Sequence, residues 1–294
     1  MQVLAIFGPT AAGKTGVAVE AARLLRGRGE DPVAVNCDSI QVYRGLDVLS
    51  GAADAAEREK LEHRLQGFVD PTEEFSAGRY AQLAHAEIDR LLAEGRRPIL
   101  VGGTGLYLRA ALAELELRPP VPAGVRDQVE REIAERGPEE LHRELDAGLA
   151  ADVHPNDRKR IARLVELQRA GIEPAKGTEQ LWTAEMRHPG LLVGLTMGRD
   201  ELTERIDRRV EAMAAAGAGE EARALDAAGA SRTARAAIGF EEFLGGDLEA
   251  AKVAQRRYAR RQLTWMRKMP GVTLINRTGR SDADVAAETV AALG

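Results

Sequence analysis

A chain of 294 residues with 44% hydrophobic side chains has the length for about two domains, or for one carrying a large insertion, and excludes a small stapled scaffold or a disordered tail. Its 41 basic and 46 acidic residues leave a net charge of -5, which excludes a global pull toward nucleic acid or anionic lipid and leaves any polyanion contact to a local patch. The single cysteine, Cys37, excludes an internal disulfide or a multi-cysteine metal site and fits a reducing compartment.

Val3 to Phe7 is a short apolar run with β-branched and aromatic members, bounded by Gly8-Pro9, and it predicts a buried parallel strand. A helix follows, with Val17, Val19, Ala21, Ala22, Leu24 and Leu25 on a loose apolar side and Gly27 with Gly29 as its stop. Val33 to Cys37 reads as a second strand, Ala81 to Leu92 as a helix, and Pro98 to Val101 as a third strand. This alternation predicts an α/β fold, a parallel sheet flanked by helices with right-handed crossovers. Three prolines in Leu117-Arg118-Pro119-Pro120-Val121-Pro122 break regular structure, and from Arg126 to about Gly171 the pattern is charged and helical. Leu191 to Met197 returns as a strand. The spacing of Leu202, Ile206, Val210 and Met213 predicts a long helix over Asp200 to Ala215. Helical patterns around Gly219 to Ala228 and Leu248 to Met269 precede a closing strand, Val272 to Ile275. The expected division is a first core segment over 1–116, an all-helical insertion over 117–189, and a second core segment over 190–294 with a basic helix. The start carries no basic leader and no stretch reaches the roughly 18 apolar residues of a membrane span, so a soluble cytoplasmic protein is expected.

The strongest chemical signal is Gly8-Pro9-Thr10-Ala11-Ala12-Gly13-Lys14-Thr15, which satisfies G-x-x-x-x-G-K-[ST] between a predicted strand and helix. Such a loop curls so that successive N–H groups point at phosphate oxygens, and the helix N-terminus adds partial positive charge. Lys14 neutralises phosphate and Thr15 can bind Mg2+. Asp38-Ser39 sits at the carboxyl end of the second strand, the rim where open α/β sheets bind ligands. There Asp38 reads either as a proton acceptor or metal-water holder, or as a turn cap. Gln41-Val42-Tyr43-Arg44-Gly45 mixes polar and stacking side chains suited to a base or sugar. Gly102-Gly103-Thr104 at the end of the third strand either permits close ligand approach, with the Thr104 hydroxyl on the same rim, or is only a tight turn.

Two basic clusters stand out. Lys252, Arg256, Arg257, Arg260, Arg261, Arg267 and Lys268 lie in a stretch without an acid, interleaved with Tyr258, Gln262 and Trp265. The strip suits a phosphate backbone or a solvated helix face anchored by Val253, Leu263 and Met266. Arg158, Lys159, Arg160 and Arg163 form the second cluster. Arg199 and Arg205 bring charge toward the phosphates or pair with Glu201 or Glu204. The five histidines are scattered without ligand spacing and read mostly as surface residues.

Taken together, these residues resemble the tRNA dimethylallyltransferases. GPTAAGKT at 8–15 is similar to that family's phosphate loop, DSIQVYRGLDV at 38–48 to its aspartate motif, and FSAGRYA at 75–81 to the segment that follows. ILVGGTGLYLRAAL at 99–112, HPNDRKRIARLVE at 154–166, GRDELTERIDRRVEAM at 198–213, AIGFEEF at 237–243 and YARRQLTWMRK at 258–268 continue the likeness in order. Ala12 stands where the family commonly has serine, Leu49-Ser50-Gly51 where a Gly-Thr-Ala run is usual, and His63-Arg64 where His-His is usual.

The resemblance implies a P-loop core and transfer of a dimethylallyl group from its diphosphate to N6 of the adenosine at tRNA position 37, with Mg2+. It implies that Gly8, Pro9, Thr10, Ala11, Ala12, Gly13, Lys14 and Thr15 cradle the diphosphate, Thr15 also reaching the metal. By the same resemblance Asp38 takes the N6 proton, Lys14 and Thr10 are catalytic residues on the diphosphate, Thr104 hydrogen-bonds the extruded adenine or its neighbour, and Arg199 helps stabilise the diphosphate leaving group. The tRNA contacts implied are Asp38, Ser39, Ile40 and Gln41, then Arg126, then Arg158, Arg160 and Arg163, then Arg256, Arg260 and Arg261, with the insertion clamping the anticodon stem-loop. A monomer is expected. The competing readings are a prenyltransferase on free adenine nucleotides, a small nucleotide kinase, and a nucleotide switch or RNA-binding module; the basic clusters and the insertion favour the tRNA enzyme over the first two, and Asp38 over the third.

Overall fold

A computed structural model describes residues 1–117, 121–173 and 179–294. The chain divides into two compact units, Met1–Leu115 with Glu179–Gly294, and Glu116–Thr178.

The first unit is built on β1 (Val3–Phe7), β2 (Pro32–Asn36), β3 (His63–Arg64), β4 (Arg97–Gly102), β5 (Gly190–Thr196) and β6 (Val272–Asn276). They form one sheet in the order β3-β2-β4-β1-β5-β6, and every pairing is parallel. Five of the strands match predicted runs. The edge strand β3 is only two residues long and carries no hydrophobic pattern. Its helices are α1 (Lys14–Arg26), α2 (Asp47–Ser50), α3 (Ala55–Lys60), α4 (Ala77–Ala93) and α5 (Gly105–Leu112). In the second unit come α6 (Ala123–Arg136), α7 (Pro138–Arg143), α8 (Ala147–Ala151) and α9 (Arg158–Arg169). The chain closes through α10 (Arg199–Ala215), α11 (Ala218–Ala227), α12 (Phe240–Leu244), α13 (Leu248–Lys268) and α14 (Asp282–Leu293).

On one face of the sheet, α1 packs against α14. Val17, Ala18, Ala21, Ala22 and Leu25 meet Val285, Ala286, Val290 and Leu293 in one buried cluster that also holds Leu4, Ile6, Ile99 and Val193 from the strands. Small alanines let the two helices approach closely, and a Ser281–Asp284 capping box starts α14. The sequence reading carried no helix here, although the Ser281–Asp284 box and the spacing of Val285, Ala286, Thr289, Val290 and Leu293 are local signals of one. Elsewhere α4 and α5 meet through stacked Tyr80 and Tyr107 rings, 4.3 Å between centroids. The Tyr80 hydroxyl donates to the Asn36 carbonyl at 2.8 Å, tying α4 to the exit of β2.

The second unit is all helical. Val129, Ile133, Leu141, Leu145, Val153, Ile161, Leu164 and Val165 form its core. The expected 117–189 insertion runs past this unit, because residues after Thr178 belong to the core. Arg109, 1% exposed, donates to the carbonyls of Leu181 (3.1 Å) and Glu185 (3.4 Å), the Arg187 amide donates to Leu112 (2.8 Å), and the Arg187 side chain pairs with Asp89. Such long-range ties leave no periodic trace in sequence. Arg118, Pro119 and Pro120 of the proline-rich break lie outside the described residues.

Candidate functional site

In a parallel sheet all carboxyl ends share one rim, and β1, β2 and β4 exit there at Gly8, Cys37 and Gly103. A cavity of ≈ 1130 Å³ opens at this rim, lined among others by Thr10, Lys14, Thr15, Asp38, Gly103, Arg209 and Gln262. The loop from Gly8 to Gly13 is bent by two left-handed residues, Ala11 (φ 62°) and Gly13 (φ 76°). Left-handed backbone is disfavoured for alanine, so Ala11 needs outside support. Arg205 provides it, its Nε donating to the Ala11 carbonyl at 3.2 Å. The amides of Gly13, Lys14, Thr15 and Gly16 donate to no described residue, as expected of the first turn of a helix, and their residues line the cavity. Lys14 Nζ donates to the carbonyls of Gly8 (3.1 Å) and Pro9 (3.0 Å). Burial first, and the charge of Arg209 second, push its ammonium down to about 8, with Asp38 opposing.

Asp38 is aimed by its neighbours. Buried Asn36 accepts the Asp38 amide (3.0 Å) and donates to the Asp38 carbonyl (3.1 Å), folding the strand end into a tight turn. One carboxylate oxygen accepts the Ile40 amide at 2.9 Å. The other lies 3.6 Å from where a Cβ on Gly103 would sit, at the cavity wall. Asp38 is therefore both turn cap and cavity carboxylate, one role per oxygen. Gly102 is required where β4 passes the Cys37 backbone, since a Cβ there would strike the Cys37 carbonyl. The Thr104 hydroxyl accepts the Ser39 amide at 3.1 Å, joining the β2 and β4 exits.

The remaining walls come from the second half of the chain. Gln262 of α13 accepts the Thr10 amide (2.7 Å) and donates to the Gly103 carbonyl (2.8 Å), which also accepts from the Tyr258 hydroxyl (3.2 Å). Val48, Leu49, Met213 and Ile238 give the cavity an apolar side. Short α2, which carries Val48 and Leu49, is held by Glu221, whose carboxylate accepts the amides of Asp47, Val48 and Leu49 at 3.1, 2.9 and 2.8 Å.

Arg199 does not join these walls. It starts α10 as an exposed residue and does not line the cavity. Three α10 residues, Arg205, Arg208 and Arg209, line a hollow with Ala11 and Gly13 of the loop; Arg205 and Arg209 lie one turn apart beside the buried stripe of Ile206 and Val210. Arg199 lies on another side of the helix because six and ten residues at 100° per residue rotate away from it. Arg209 lines the main cavity, forms no ion pair among the described residues, and is depressed by burial against the pull of Asp38 and Glu57. It was not anticipated, although its spacing beside the apolar stripe was readable.

The basic strip on α13 divides by face. Its inward side is Ala251, Gln255, Ala259, Gln262 and Met266 rather than Val253, Leu263 and Met266; Val253 is exposed. Hydropathy missed this because two buried glutamines are satisfied by backbone groups. Lys252 pairs with Glu211 (2.8 Å) and Arg256 with Asp207 (2.8 Å), acids that α10 brings to a stretch lacking its own. Arg257, Arg260, Arg261 and Arg267 remain exposed, with Arg261 5.5 Å over the Tyr258 ring. In the second unit, Arg163 (2.8 Å) and Arg126 (3.7 Å) converge on buried Glu166, Arg158 lies 3.6 Å from Glu130 and Arg160 3.4 Å from Asp157. Lys159 is exposed. Tyr43 also corrects the reading of 41–45 as a stacking segment: it is 1% exposed and its hydroxyl meets Thr233 at 2.5 Å. Nor are most histidines at the surface: His63, His85 and His142 are half-buried and bond backbone carbonyls.

A family model described as IPP transferase matches residues 41–269. The chain belongs to the IPP transferase family. Among curated relatives, a tRNA dimethylallyltransferase of Anaeromyxobacter dehalogenans is 43% identical, over 94% of this chain and 95% of its own length. One from Streptomyces griseus is 40% identical over 91% and 88%. The solved full-length tRNA isopentenylpyrophosphate transferase of Bacillus halodurans superposes with a TM-score of 0.71 at 32% identity, covering 99% of this chain and 94% of that one. A eukaryotic dimethylallyltransferase solved acting on tRNA gives 0.77 at 25% identity, covering 99% and 77%. In this IPP transferase the loop after β1 and the apolar residues of α2 and α10 line one cavity.

Proposed function

We propose that this IPP transferase moves a dimethylallyl group from its diphosphate to N6 of the adenosine at tRNA position 37. The observation that carries the reading is the convergence of the phosphate loop, the Asp38 carboxylate and an apolar wall on one cavity. The N6 lone pair attacks C1 of the dimethylallyl group while the bond from C1 to the bridging oxygen breaks. The outward oxygen of Asp38 takes the N6 proton, and negative charge grows on the departing diphosphate. Loop amides, Lys14 and Arg209 lie where that charge appears, so they bind the transition state more strongly than the ground state. Thr10 shapes the loop through the hydrogen bond its amide donates to Gln262, and the Thr104–Ser39 link holds the rim on which the flipped base would sit.

A magnesium ion fits this donor set. The Thr15 hydroxyl lines the cavity without a hydrogen-bond partner among the described residues, and no group of three or more acidic, histidine or cysteine ligands exists among them. That suits a hard cation taking one protein oxygen together with diphosphate oxygens and water. Bound there, the metal would supply further neutralisation of the leaving group.

The tRNA contacts proposed in the first unit are Ser39 to Gln41 and the exposed Arg257, Arg260 and Arg261 of α13; those proposed in the second unit, taken by itself, are the basic first turn of α9 and Arg126. Arg256 supports the α13 contacts from behind through Asp207. No helix among the described residues is long and apolar enough to cross a membrane. Action as a cytoplasmic monomer is part of the proposal. The test incubates the protein with radiolabelled dimethylallyl diphosphate, Mg2+ and either unmodified tRNA or AMP. Label on tRNA alone supports the reading. Label on AMP, or phosphate transferred to AMP in a parallel reaction with labelled ATP, moves the chain to a free-nucleotide prenyltransferase or a kinase.

A further inference from the structure

The phosphate loop has a second support that comes from the last part of the chain. Arg277, just after β6, is 2% exposed and its Nη1 donates to the Ala12 carbonyl. Its Nη2 pairs with Asp282 at 2.8 Å, in the first turn of α14. Both partners are rigidly carried: the Arg277 amide donates to Thr196 of β5 at 3.0 Å, and Asp282 lies inside the Ser281 capping box. The pair fills the space beside two glycines. A Cβ on Gly13 would run into Arg277 Nη1, and one on Gly16 into the Asp282 carboxylate. Gly16 is not demanded by the phosphate-loop pattern, and the Asp282 carboxylate occupies the space that a side chain there would take.

A buried guanidinium with one carboxylate is weak support for stability alone, because desolvation offsets the attraction. Its geometry has a further effect. In a trans peptide the carbonyl and the next amide point in opposite directions. Anchoring the Ala12 carbonyl on Arg277 therefore turns the Gly13 amide the other way, and that amide has no partner among the described residues. Arg205 holds the preceding carbonyl of Ala11, and the amide of that peptide donates to the Pro9 carbonyl at 3.2 Å, which closes the loop's turn. The left-handed Ala11 and Gly13 are fixed from both sides before any anion arrives.

We infer that Arg277 and Asp282 are positioning residues for the diphosphate: they hold the loop amides in their anion-binding orientation from the β6–α14 connection. The inference rests on the loop being the diphosphate site, as proposed above.

The test titrates inorganic diphosphate with Mg2+ into the full chain and into Arg277→Gln, Arg277→Lys and Asp282→Asn, with tRNA affinity and the thermal midpoint measured beside it. Arg277→Gln should weaken diphosphate binding by about 10-fold or more while tRNA affinity stays within about twofold, and Arg277→Lys should recover part of the loss. KM for the prenyl diphosphate should rise with it. Diphosphate binding unchanged in both Arg277→Gln and Asp282→Asn overturns the inference, as does an equal loss of diphosphate and tRNA affinity. Should Arg277→Gln fail to fold, Asp282→Asn, altered at a partly exposed carboxylate, decides by the same two affinities. Failure of the unaltered chain to bind diphosphate would instead reject the loop as the diphosphate site.

Discussion

Gln262 and Thr10 lie 252 residues apart in sequence, yet the Gln262 side-chain oxygen accepts the Thr10 amide at 2.7 Å. The same side chain donates to Gly103 at 2.8 Å, so one residue of α13 bridges the exits of β1 and β4. A helix whose opposite face is basic is thereby locked to the loop after β1, so the tRNA and diphosphate sites proposed above would share a wall.

Gln262→Leu removes that bridge and leaves the Thr10 amide buried without a partner, at a cost of about 1 to 3 kcal/mol. Urea unfolding should report the loss, and KM for dimethylallyl diphosphate should rise. Stability and KM equal to those of the unaltered chain would show the bridge to be incidental.

Asp38→Ala removes the only carboxylate proposed to take the N6 proton. The turnover number should fall by about 10²-fold or more, with tRNA affinity nearly unchanged. Unchanged turnover in single-turnover kinetics rejects Asp38 as the base.

The two arginines of α10 should separate. Arg209→Ala removes a cation from the cavity and should lower kcat/KM by about 10-fold or more. Arg199→Ala alters an exposed helix start and should change it by less than about twofold. The reverse order would restore Arg199 as the leaving-group arginine.

Lys14 gives a pH dependence. Its ammonium titrates at about 8 in the folded chain against 10.5 ordinarily. Between those values the unfolded chain binds the proton and the folded chain does not, so the contribution of Lys14 to stability rises with pH across that window. Anion affinity runs the opposite way, because the loop loses a cation above about 8. The rise of KM for the prenyl diphosphate from about pH 7 to about pH 10 should be larger in the unaltered chain than in Lys14→Met. Equal slopes would remove Lys14 from diphosphate binding.

Arg260→Glu and Arg261→Glu should weaken tRNA binding and flatten its salt dependence, the slope dropping by about 0.7 to 0.9 for every phosphate that is no longer neutralised. Arg256→Glu should instead lower the thermal midpoint, since it sets two carboxylates against each other at Asp207. Filter binding across salt concentrations, with melting curves, distinguishes the two effects.

The sequence by itself determined the elements whose signals are local. The run Val3 to Phe7 and the loop after it, Asp38 at the next strand exit, and the amphipathic spacing of α10 were all readable, because backbone hydrogen bonding and burial act over a few residues. Only the tertiary structure decided which charged groups meet. Arg256 lost its place on the open surface to Asp207, and Arg109 claimed residues 179–189 for the core. Arg209 reached the cavity and Arg277 the Ala12 carbonyl from distant segments, while Arg199 stayed off the cavity wall. These outcomes depend on rotation about helix axes and on which strand ends share the rim. Those quantities are set by packing the whole sheet and have no counterpart in any single window of sequence.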